Sequence, residues 1–124
     1  MSENGRLVLI ADDEDDILAL VGTVLRGAGF EVVEARDGAE ALAIATERPL
    51  RAAVLDVSMP EMDGLEVLRR LRAHGPTCDL PIILLSALAQ ETDVERGYGE
   101  GASRYLRKPF KPAELVAAVR ELVS

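Results

Sequence analysis

The chain has 124 residues, 48% of them apolar, which suits one globular domain with its own core and argues against a disordered segment. Its formal charge of -8 sets it against phosphate backbones and anionic membrane surfaces, because binding those calls for clustered Lys and Arg. A single cysteine, Cys78, excludes an internal disulfide; no apolar run approaches the roughly 18 residues of a membrane span, and Met1 to Arg6 carry no apolar signal segment, so one cytoplasmic domain over 1–124 is expected.

Leu7-Val8-Leu9-Ile10-Ala11 is a continuous apolar run and reads as a strand buried on both faces. It ends on Asp12, Asp13, Glu14, Asp15 and Asp16. A helix follows with Ile17, Val21, Val24 and Ala28 on one stripe, reinforced by Leu18 and Leu25 and ended by Gly27 and Gly29. Negative charge at a helix N-terminus accounts for Asp15 and Asp16. It accounts less well for Asp12 and Asp13, which stand at the strand end. Glu31-Val32-Val33-Glu34-Ala35 is a second strand whose charges suit an edge. Asp37-Gly38-Ala39-Glu40 has the form of a capping box opening a second helix, with Ala41, Leu42 and Ala45 inward and Pro49 closing the connection.

Ala52-Ala53-Val54-Leu55-Asp56 is the third strand, and Pro60 and Gly64 break the pattern after it, so Asp56 sits where strand opens into loop. Taken alone, such an aspartate could simply begin a turn or cap the next helix. That helix carries Leu65, Leu68 and Leu71. His74 is the only histidine, which excludes a His-based metal site or a His dyad; it reads as a solvated loop residue, and Cys78 as a passive thiol in a polar loop. Pro81 introduces Ile82-Ile83-Leu84-Leu85, a fourth strand ending at Ser86, whose hydroxyl alone could serve only to bond nearby backbone. A fourth helix is expected over 91–100, weakened by Gly97 and Gly99 at about 1 kcal/mol each unless they serve close packing. Arg104-Tyr105-Leu106-Arg107 makes a short edge strand leading to Lys108-Pro109. Pro112 opens the last helix, with Leu115, Val119 and Leu122 inward.

Five strands alternating with five helices predict an α/β domain with a doubly wound parallel sheet. With the continuously apolar strands in the centre and right-handed crossovers, the order is 2-1-3-4-5, flavodoxin-like. Asp12, Asp13, Asp56, Ser86 and Lys108 then share the sheet edge where ligands bind in open α/β folds. Three crowded carboxylates repel one another and call for a cation. Hard oxygen ligands suit Mg2+. With a hydroxyl and a lysine alongside, the edge makes a pocket for a phosphoryl group, and a carboxylate can itself be the nucleophile.

Over its whole length the chain resembles a response-regulator receiver domain of bacterial two-component signalling, of the chemotaxis-regulator kind. The resemblance is carried by Asp12-Asp13, by Leu55-Asp56-Val57-Ser58-Met59-Pro60-Glu61-Met62-Asp63-Gly64, by Leu85-Ser86-Ala87 and by Tyr105-Leu106-Arg107-Lys108-Pro109-Phe110. Each piece is weak alone; in this order and spacing they are specific together. The resemblance implies that Asp56 takes a phosphoryl group from a histidine kinase or histidine phosphotransfer protein. It implies Mg2+ bound by Asp13 directly and by Asp12 through water, with Asp56 and the backbone carbonyl of Ser58 completing the metal residues. Lys108 would hold a phosphoryl oxygen, with a cis bond to Pro109, and Ser86 with Tyr105 would form a switch pair. The output would be a changed surface on the fourth helix, fifth strand and fifth helix that binds a downstream protein, with no nucleic acid or membrane contact and no enzymatic turnover beyond the chain's own phosphorylation and slow dephosphorylation.

The chain departs from the family in places. Ser103 and Arg104 stand before Tyr105 where acidic residues are common, so the face-to-face dimer of the transcription-factor branch does not carry over, and the oligomeric state stays open. Ser58 and Leu88 occupy positions that tune phosphate lifetime in the family, without fixing a value. Two other classes share parts of the pattern. A haloacid-dehalogenase-type phosphatase needs a second Asp two residues after the nucleophile, where this chain has Ser58. A flavodoxin-like cofactor binder needs a phosphate loop after strand one, where five acids would repel phosphate. Turnover of a phosphomonoester or a bound yellow chromophore would mark either. Nothing after Ser124 suggests an effector, so the chain reads either as a stand-alone regulator or as a receiver cut from a longer one.

Overall fold

The computed structural model describes residues 7–87 and 99–123. In chain order these form β1 (Leu7–Ala11), α1 (Asp15–Gly27), β2 (Glu31–Ala35), α2 (Gly38–Glu47), β3 (Ala52–Asp56), α3 (Gly64–Arg72), a 3-10 turn (Gly75–Thr77), β4 (Ile82–Ser86), β5 (Arg104–Arg107) and α4 (Pro112–Val123). The helix expected over 91–100 falls almost wholly outside the described residues, so four α-helices stand among them.

All strand pairs are parallel and the order is β2-β1-β3-β4-β5. Every residue of β1, β3 and β4 is buried, as continuous apolar runs between two helical layers require. The charge-bearing β2 and β5 take the edges. Successive side chains alternate between the faces, so the sheet divides the apolar interior into two clusters. Leu9, Ala53, Leu55, Ile82 and Leu84 pack with Ala41 of α2 and Val67, Leu68 and Leu71 of α3. Val8, Ile10, Val54, Ile83 and Leu85 pack with Leu18, Val21 and Leu25 of α1 and Leu115 and Val119 of α4.

The buried stripe of α1 is Leu18, Val21, Gly22 and Leu25, while Ile17, Val24 and Ala28 are half-buried. Leu18 and Leu25 both lie over the sheet, and residues one position back fall roughly 100° round the helix, on its shoulder. In α3 the reading by leucines alone misses Val67, which is fully buried, whereas Leu65 lies at the margin of its cluster. The α2 start differs in detail from a capping box. Asp37 Oδ1 accepts from the Glu40 N–H at 2.7 Å, but the Glu40 carboxylate accepts from Arg36, one residue before the cap, at 2.9 Å.

Two glycines let helix starts close on the loop after β3. A Cβ on Gly38 would stand 2.0 Å from the Met62 carbonyl oxygen, and one on Gly64 would stand 2.3 Å from that of Asp56. The other end of α3 holds the approach to β5. Arg72 donates to the Gly101 carbonyl oxygen from Nε at 3.0 Å and Nη2 at 2.9 Å, and Arg69 pairs with Glu100 at 3.3 Å.

Candidate functional site

The sheet register sets strand ends level. Ala11 pairs with both Ala35 and Leu55, Asp56 with Leu85, and Ser86 with Arg107. Asp12, Asp13, Asp56, Ser86 and Lys108 therefore emerge on one edge, as the sequence predicts. Asp12 is fully buried. Its backbone N–H donates to the Ala35 carbonyl at 3.1 Å, its Oδ1 accepts from the Glu14 N–H at 2.9 Å, and its Oδ2 takes the Lys108 ammonium at 3.0 Å. Asp56 ends β3 at 3% exposure; its Oδ1 accepts from the Ser58 N–H at 3.3 Å and lies 3.4 Å from Lys108 Nζ. Asp13 is exposed and completes a group of three carboxylates whose oxygens lie within 4.8 Å of one another. Lys108 is placed by backbone, its N–H donating to the Ser86 carbonyl at 2.8 Å, and its bond to Pro109 is cis.

Burial and the charge of Asp12 push Asp56 up from 3.8 to about 6, against the opposing pull of Lys108 and the Ser58 N–H. Burial works against the charge on Lys108, but hydrogen bonds and charge from Asp12 and Asp56 outweigh it and hold the ammonium above its ordinary value. One lysine thus stands among carboxylates that remain short of positive charge. Two of the three metal-capable acids are buried, all offer hard oxygens, and they lie within reach of one ion, so the donor set fits Mg2+.

The acids open into a cleft of about 560 Å³, floored by Asp56 and Ser86 and rimmed by Glu14, Ser58, Pro60 and Ala87. Ser86 is buried at the end of β4. Tyr105 is half-buried, pairs in register with Leu84, and packs in that residue's cluster. Ser86 follows Leu84 by two positions, so by strand alternation it faces the same side as Tyr105. Leu88 lies outside the described residues. A second cleft, about 490 Å³, lies around Arg48, Arg51, Asp79 and Pro81 at the opposite end of the sheet, away from the acid group.

Two members of the edge were not assigned from sequence. Glu14 Oε1 lies 3.6 Å from Lys108 Nζ, and the only signal was its place directly after the Asp pair. Asp15, explained from sequence by the helix dipole alone, also pairs with Arg36 at 2.8 Å; both side chains are largely exposed, and such a pair contributes little.

Comparison with known proteins agrees with this arrangement. The family described as response regulator receiver domain matches residues 8–120. The transcriptional regulatory protein PrrA of Mycobacterium tuberculosis is 48% identical over 116 residues, covering 94% of this chain and 49% of PrrA. The chain therefore spans about half the length of such curated relatives. Chemotaxis protein CheY4 of Vibrio cholerae is 33% identical with a TM-score of 0.89, covering 94% of this chain and 98% of that one. The receiver domain of the sensor histidine kinase PA1611 of Pseudomonas aeruginosa, solved with a magnesium ion in its active-site cleft, is 31% identical with a TM-score of 0.89, covering 96% and 98%. Several relatives are named transcriptional regulators, so the expectation that nucleic acid plays no part finds no support in them. The acidity of this chain speaks only for its own surface. Among the described residues no helix is long and apolar enough to cross a membrane.

Proposed function

The chain belongs to the response regulator receiver domain family, and on that premise we propose that it accepts a phosphoryl group on Asp56 from a phosphohistidine of a histidine kinase or histidine phosphotransfer protein. The observation that carries this reading is the Asp56 carboxylate, buried at a strand end, inside a three-carboxylate group and 3.4 Å from Lys108. Receivers are signalling proteins, and the chemistry here is the chain's own modification. An Asp56 oxygen attacks phosphorus, the P–N bond of the donor breaks, and the imidazole leaves with the electron pair. The Lys108 ammonium binds one phosphoryl oxygen and steadies the charge that builds there. Asp12, Asp13, Asp56 and the Ser58 carbonyl would hold magnesium, which would supply positive charge to the transferring group.

A small acyl-phosphate donor with magnesium should add one phosphoryl group, read by intact mass, and Asp56→Asn should abolish it. Label that persists in Asp56→Asn would remove Asp56 from the role.

The signal would pass through Ser86 and Tyr105. A phosphoryl oxygen on Asp56 offers an acceptor to the Ser86 hydroxyl. Drawing Ser86 inward frees space on the side where Tyr105 packs, and the ring turns toward it. The face around β5 and α4 then differs between the two states, and a downstream protein that binds one form better shifts the population. Ser86→Ala should still be phosphorylated, but with beryllofluoride its Tyr105 ring resonances should move much less than in the parent protein. A full-size shift in Ser86→Ala would exclude Ser86 as the relay. A cytoplasmic location belongs to the same proposal, since it places the cleft with the kinase.

A further inference from the structure

Lys108 carries three N–H donors and faces three carboxylates: Asp12 at 3.0 Å, Asp56 at 3.4 Å and Glu14 at 3.6 Å. Two of these partners are buried, whereas the Glu14 side chain is 64% exposed. The Glu14 backbone is fixed by its N–H bond to Asp12, yet its carboxylate lies outside the three-acid group that could hold a metal. It lines the cleft that holds Asp56 and Lys108.

We propose that Glu14 is a charge gate for the phosphodonor: its carboxylate occupies the side of the Lys108 ammonium that an incoming phosphoryl oxygen must take, and disfavours small dianionic donors. This rests on Asp56 being the phosphoacceptor. With a divalent cation bound, the four carboxylates still outnumber the positive charges of the ion and Lys108 by one. Glu14 is the member whose removal restores balance without touching the acid group. It is also the partner most easily displaced, being the longest contact and the most hydrated. In the transfer from acetyl phosphate, the Asp56 oxygen–phosphorus bond forms, the acyl oxygen–phosphorus bond breaks, and acetate leaves with the electron pair. Glu14 takes no part in those bonds and acts only on the approach and seating of the anion. A donor held in place by protein contacts brings its own binding surface and is less sensitive to this one charge.

The test compares the parent protein with Glu14→Gln and Glu14→Asp at saturating magnesium. Glu14→Gln should be labelled by acetyl phosphate roughly fivefold faster at low ionic strength, with the gain shrinking as salt screens the charge. Glu14→Asp should keep the parent's salt profile. Inorganic phosphate binding to the magnesium-loaded protein, followed through the Ala87 amide shift, should tighten by a similar factor in Glu14→Gln. Equal phosphate affinity and equal rates in Glu14→Gln would overturn the proposal, as would a rate gain that survives high salt. If the parent protein takes no label at Asp56, the phosphoacceptor reading fails instead, and the phosphate affinities alone decide whether Glu14 guards the cleft.

Discussion

Without divalent cations, Asp56→Asn should be more stable than the parent protein near neutral pH by on the order of 3 kcal/mol, and the advantage should vanish in acid. The folded chain holds the Asp56 proton up to about 6, whereas the unfolded chain releases it near 3.8. Between those values the native state binds more protons, so the parent's stability falls as pH rises through that window. Below it, Asp56 is neutral in both states and the site is at its most stable. Above it, a buried carboxylate beside Asp12 must carry charge, and the shift of about two pH units corresponds to the stated energy. A neutral amide of nearly the same shape escapes this, while Asp12 remains to partner Lys108. Magnesium should raise the parent's melting temperature, because it binds only the folded acid group, and should narrow the gap to the variant. Urea unfolding in chelator at pH values on either side of the window measures both effects. Parallel stability curves for the two proteins would contradict the assignment of strain to Asp56.

Gly64→Ala should be, with Gly38→Ala, among the most damaging single-methyl changes at the described glycines, and it is the one that strikes the acceptor strand itself. The added carbon would meet the Asp56 carbonyl oxygen at 2.3 Å, its carbonyl carbon at 2.9 Å and Val57 Cα at 3.1 Å. These are backbone atoms and cannot swing away as a side chain could. Overpacking usually costs 1–3 kcal/mol, and the upper end or beyond, about 3 kcal/mol, is expected here. The backbone that must move is that of Asp56 itself, so magnesium affinity should fall with stability. Gly27→Ala is the control, since nothing lies within 4 Å of its added carbon. Its magnesium titration should match the parent and its denaturation midpoint should equal or exceed it, since alanine suits the helical backbone better than glycine, and a Gly64→Ala protein that behaves the same way would show that the loop yields at no cost.

Much of this was legible in the chain. Parallel central strands must be apolar on both faces, so β1, β3 and β4 announced themselves as unbroken runs, and the charges of Glu31, Glu34, Arg104 and Arg107 marked the edges. Once the strands were ordered, a residue just after each run had to lie on the common edge, which brought Asp12, Asp56, Ser86 and Lys108 together without any contact being known. The misses have a common origin. Helix faces depend on the rotation chosen against the sheet, and a stripe drawn through Ile17 competes with one through Leu18 about 100° away. The closeness of Gly38 to Met62 and the ion pair of Glu14 with Lys108 join residues far apart in sequence, and no local pattern encodes either.

The sheet that delivers these strand ends also acts as a partition. Its two apolar clusters share no buried residue, and a full layer of backbone stands between them. Tyr105 belongs to one side, while α1 and the inner face of α4 belong to the other. Costs of substitutions in well-separated parts of the two clusters, such as Leu71 of α3 and Val21 of α1, should add to within about 0.5 kcal/mol. A lineage can therefore rebuild one flank of the domain by drift while the other, and the charged edge both flanks support, stays under selection, so the two flanks can be fitted to different partners at different times.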